Sequence, residues 1–180
     1  MSNAWDTLRR RAAAVRTVIE ELDATRATDP RWTDELADVF DGPDDLLVAL
    51  HDVWSRRVIA RVEMALELGE DLPAESIENA WFEVAAELPG VRRVLDAHAD
   101  DEVLRKHEQH EHRLYAIAAG MVSPADPLSY AARAGARLVS NLRIQHVEQI
   151  VPRPRLGDRL VNLISWRNSA ELASERAAMR

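Results

Sequence analysis

The chain of 180 residues contains no cysteine. That absence excludes disulfides, thiolate metal sites and cysteine nucleophiles, and with them a disulfide-stapled secreted miniprotein. Lysine is nearly absent as well, since Lys106 is the sole lysine among 23 basic residues. No stretch approaches the roughly 18 consecutive apolar residues of a membrane span. The first segment, Met1 to Glu20, is arginine-rich and has no apolar core of signal-peptide length. The expectation is a cytoplasmic protein that is neither exported nor inserted in a membrane. Strand-type alternation is missing, and so are a glycine-rich phosphate loop, a dinucleotide fingerprint and a nucleophile elbow, so no motif supports an enzyme.

What is present is enough for one domain. Hydrophobic residues make up 47% of the chain, sufficient for a substantial single core at this length. The net charge of −8 argues against nonspecific nucleic-acid binding, because a phosphate lattice selects for a basic surface. Charge is nevertheless uneven. Beyond Ala131, arginines outnumber the four acids Glu148, Asp158, Glu171 and Glu175, which gives either a basic patch or a solvated face.

Glycine and proline punctuate an all-α pattern, a multi-helix bundle of about six to seven helices. The first helix is expected from Ser2 or Asn3 to about Asp23, and a short one follows Asp29-Pro30. Asp41-Gly42-Pro43-Asp44-Asp45 is a start signal, with proline in the first turn and carboxylates at the positive end of the helix dipole; this helix runs to Leu68 and stops at Gly69. Pro73 opens the next, which Pro89-Gly90 ends. From Val91 a helical pattern reaches Ala119, interrupted near His98 to Asp100, where Asp100 is the expected cap. A further helix extends from Pro127 to Ile150. Residues 1–151 are therefore read as the main bundle. Residues 152–180 follow as a Pro-Arg linker plus a last helix that packs on the bundle or on a partner subunit, the whole forming one domain. The tryptophans Trp5, Trp32, Trp54, Trp81 and Trp166 read as core or interface anchors.

Polar residues on apolar faces are the informative exceptions. On a helical wheel Val103, Leu104, Leu114, Tyr115, Ala118 and Met121 define one side of the segment around His107-Glu108-Gln109-His110-Glu111-His112. His107 falls near its middle, with His110 and Glu111 flanking. Residues three and four apart converge on a helix, and bundles build metal sites from inward His and Glu on facing helices. His107, His110 and Glu111 could thus form a mixed nitrogen and oxygen site with His146 or His51, suited to zinc or another divalent transition metal. The plainer account is neutral histidines hydrogen-bonded in a core or interface, in which case no cofactor is expected. On the third helix Arg57 and Arg61 fall mid-face among Leu46, Leu50, Val53, Trp54, Met64, Ala65 and Leu68. Buried guanidiniums need anions. They imply either an internal or intersubunit ion-pair network or a pocket for a carboxylate or phosphate.

Three functions follow in order. The first is a noncatalytic helical protein acting through protein contacts, most simply as a homodimer, on the grounds of aromatic and small-residue faces and the absence of catalytic motifs. The second is a divalent-metal-binding bundle. The third is a small-anion module centred on Arg57 and Arg61.

Overall fold

A computed structural model describes residues 2–69 and 73–150, with side chains described for 5–69, 74–147. Seven helices and no strand are found among the described residues, as the sequence pattern requires. They are α1 (Ser2–Thr25), α2 (Asp34–Ala37), α3 (Pro43–Leu68), α4 (Pro73–Glu87), α5 (Pro89–Ala97), α6 (Glu102–Ala118) and α7 (Leu128–Ile150). None of the described helices is long and apolar enough to cross a membrane. The chain divides into two compact units, Met1–Leu142 and Arg143–Arg180. The division falls within α7. The expected linker and last helix, together with Trp166, lie outside the described residues.

The helix boundaries have local causes. Pro43 opens α3, and Asp45 in its first turn accepts from the backbone N–H of Asp41 (3.1 Å) and is paired by Arg11 of α1. Hydrogen bonding to the Arg11 guanidinium, against a smaller cost of burial, holds the Asp45 carboxyl below its usual range. Gly69 ends α3 in the left-handed region (φ 65°), where its N–H closes on the Ala65 carbonyl at 3.1 Å. Pro89 does more than stop α4, because it also supplies the first turn of α5. The expected interruption before α6 is real, but Asp101 rather than Asp100 takes the N-cap position. Its carboxylate meets His98 Nδ1 at 2.6 Å, while Asp29 holds the other ring nitrogen at 3.0 Å. Partial burial opposes the His98 charge, but the two carboxylates outweigh it and raise the pKa.

The core is organised around α3, which packs on α4, α5 and α6, while α1 lies against α5 and, less extensively, α3. Its buried stripe is Leu50, Trp54, Val58 and Val62, one residue per turn. Trp54 meets Trp81 of α4 edge-on at 5.4 Å, and the Arg92 guanidinium of α5 lies 4.6 Å over the Trp54 ring. Among the described residues only these two tryptophans fulfil the expected core role, since Trp5 is 66% exposed and Trp32 38%. Two glycines permit close helix crossings. A Cβ on Gly90 would lie 2.9 Å from the Leu22 backbone carbon, and one on Gly135 would lie 1.8 Å from the His112 carbonyl oxygen.

Arg57 and Arg61 do not occupy the inward face assigned to them. The Arg57 side chain is 48% exposed, and Arg61 leaves the core to pair with Glu83 and Glu87 of α4. The apolar residues that placed them inward, Met64 and Leu68, are themselves 56% and 62% exposed. The guanidiniums therefore form an ion-pair network along the α3–α4 edge, the plainer of the two arrangements expected for them.

Candidate metal centre

Two polar residues penetrate the α3–α6 contact. His51, one turn before Trp54, is 4% exposed, and Glu111 is 6% exposed. His51 Nε2 and Glu111 Oε2 are 2.8 Å apart. A carboxylate can only accept, so Nε2 carries the hydrogen and donates it. The other carboxylate oxygen accepts from the Tyr115 hydroxyl, one turn further along α6. The Trp54 side chain is in turn hydrogen-bonded to Tyr115. Two residues of α3 at i and i+3 thus engage two of α6 at i and i+4, a pairing that helix periodicity makes natural.

Electrostatics within this group are consistent with that chain of donors. Burial pushes the Glu111 carboxyl up, but the hydrogen bonds it accepts from His51 and from the Tyr115 hydroxyl pull it further down, so it sits below the usual carboxylate range. Burial and the neighbouring Glu111 charge drive Tyr115 well above its ordinary value, so it remains a neutral donor.

One atom is left over. His51 Nδ1 is buried and has no hydrogen-bond partner. As a neutral imidazole with its hydrogen on Nε2, His51 would present an Nδ1 lone pair; an unmatched polar atom in such a region costs roughly 1–3 kcal/mol. His51 lines a cavity of about 430 Å³ between α3 and α6. Asp52 and His107 line it too, and each of the three offers a ligand atom within 4.8 Å of the others. The imidazoles of His51 and His107 meet at 5.9 Å with an interplanar angle of 64°. Around an ion with bonds near 2.1 Å, tetrahedral ligand atoms stand about 3.4 Å apart. Closing the set from 4.8 Å requires about an ångström of side-chain rotation, which the exposed Asp52 can supply.

The residues singled out from sequence are redistributed by this geometry. His107, His110 and Glu111 do share one cavity. Of the three, only Glu111 is buried, and it is engaged by His51 and Tyr115 rather than free to ligate. His110 is exposed, and its Nδ1 bonds the Lys106 carbonyl of its own helix at 2.8 Å. His146 lies on α7 beyond Leu142, in the second unit, and is half-buried. His51, weighed only as a supplementary ligand, becomes the centre of the group. Asp52 was not identified at all. As an exposed acid on a helix it looks like any solvated residue, and its adjacency to an inward histidine was the only signal.

A larger cavity of about 640 Å³ lies between α6 and α7, against Leu128, Ala132 and Ala136. No cluster of potential metal ligands is found there among the described residues. Chemistry therefore favours the smaller cavity. No protein-family model, curated protein or solved structure matches the chain.

Proposed function

We propose that this is a divalent-metal-binding helical protein whose ion is held by His51 Nδ1, Asp52 and His107. The observation that carries this reading is the buried Nδ1 of His51 with no hydrogen-bond partner, on a residue that lines the cavity with Asp52 and His107 and offers a ligand atom within 4.8 Å of theirs. Metal-bound histidines characteristically donate their second ring nitrogen to a carboxylate, which fixes the tautomer and raises the basicity of the ligating nitrogen. Glu111 stands in that relation to His51, and Tyr115 and Trp54 hold Glu111 in place in turn. Two imidazoles and one carboxylate suit zinc or another divalent transition metal. Three protein ligands leave further coordination positions for water or an exogenous group, the arrangement of reactive rather than purely structural sites.

The test is elemental analysis of untagged protein purified without chelator, paired with thermal melting on addition of zinc, cobalt or manganese. Near-stoichiometric metal, or a melting temperature that rises with added ion, is expected. Asp52→Asn with His107→Ala should abolish either response without unfolding the chain, because neither residue belongs to the core. Metal-free protein whose melting temperature ignores all three ions overturns the reading.

Protein contact has an observation of its own. On α7 Ile144 and Val147, both in the second unit, are each 59% exposed. These apolar side chains support association through that helix, with a second copy of the chain as the simplest partner. Sedimentation that returns a monomer at high micromolar concentration removes the dimer.

A further inference from the structure

We infer that the bound ion receives a small oxyanion, a carboxylate or phosphate, with Arg56 and Lys106 as its charge-neutralising contacts. This inference rests on the metal reading above and specifies the ligand class of the same site.

Charge balance leads to it. Besides its histidines, the cavity carries four ionisable groups: Asp52 and Glu111 on one side of the balance, Arg56 and Lys106 on the other. Without an ion these cancel. A divalent cation adds two positive charges to this open groove, and that local surplus favours an anion. The ion's own ligands do not remove that surplus, because His51 and His107 ligate as neutral imidazoles and Asp52 is already counted.

The two cations are placed for such a ligand. Arg56 follows Asp52 by one helical turn, and its Nε donates to the Asp52 carbonyl oxygen at 3.0 Å. That bond holds the guanidinium beside the ligand residue, and among the described residues neither terminal nitrogen has a hydrogen-bond partner, so both can fork onto an oxyanion. Lys106 directly precedes His107 on α6 and makes no ion pair among the described residues. The contrast with Arg61 is informative, since that arginine is paired by two glutamates across the α3–α4 edge. Ser55 adds a hydroxyl to the same wall. A cavity of about 430 Å³ admits a small organic acid or phosphate ester together with metal-bound water.

Cobalt(II) provides the probe, because its visible spectrum changes when an anion replaces bound water. The cobalt form is titrated with inorganic phosphate and, separately, with acetate, at ionic strength held constant with sodium chloride. A saturable spectral change is expected with at least one of them, and the stronger responder identifies the class. Arg56→Met with Lys106→Met should keep cobalt bound but raise the half-saturating anion concentration about tenfold, the loss expected for charge-assisted contacts. Metal-free protein should show no phosphate-dependent rise in melting temperature. If cobalt binds while both anions leave its spectrum unchanged, or if the double variant binds them as tightly as the parent, the oxyanion inference fails and the metal site stands. If cobalt does not bind, both fail together.

Discussion

The two sides of α3 solve the same packing problem differently. Toward α4 the helix presents Trp54, on which Trp81 closes, and the charges at the margin are paired in the open by Arg61 with Glu83 and Glu87. Toward α6 it buries His51 against Glu111 and Tyr115 and leaves one nitrogen unmatched. The first side is what stability alone favours, with apolar contact inside and ion pairs where water screens them. The second carries a desolvation cost that hydrophobic residues of similar volume would avoid. The metal site proposed above accounts for a polar device in that position.

The comparison is sharpened most by removing Trp54. Trp54→Ala should cost about 4 kcal/mol of unfolding free energy in denaturant titration, because it empties the α4 side and deprives Tyr115 of its indole partner at once. Glu111→Gln comes next. The amide keeps the shape but cannot accept from both His51 and Tyr115 through two oxygens, so a loss of about 2 kcal/mol is expected. Metal affinity should fall about 10- to 100-fold, the usual range when the carboxylate behind a ligating histidine is altered. A variant that loses stability but binds zinc normally in calorimetry would reduce the α6 side to another packed interface. Arg61→Ala should matter least, below about 1 kcal/mol in the same titration, because its pairs are solvent-screened. A loss several times larger would erase the distinction between the two sides.

Much of the fold is legible in the sequence because proline and glycine mark it: Pro43, Gly69, Pro73 and Pro89 stand at helix ends where expected. Rotation about each helix axis is harder to read, and both misplacements have one cause. On α3 Met64 and Leu68 pulled the inferred apolar face toward Arg57 and Arg61. Around α6, Leu114 and, three residues past the helix end, Met121 pull it toward His107. All four apolar residues are exposed, between 45% and 62%. A wheel treats every apolar side chain as inward, whereas near the end of a helix there is nothing left to pack against. The true inward set of α6, Leu104, Glu111, Tyr115 and Ala116, is centred away from His107 and includes an acid that hydropathy counts against burial. The His51–Glu111 pair spans 60 positions, and no local spacing announces a contact of that range.

Gly135 gives the candidate centre its bearing. Since no Cβ fits between residue 135 and the His112 carbonyl, the main chains of α6 and α7 touch one residue beyond Glu111. A helix gripped by its backbone cannot roll as one cushioned by side chains can. The direction in which Glu111 and His107 point is therefore set by an atom that is missing, and replacing that hydrogen with a methyl group would retune the cavity from a position that does not line it.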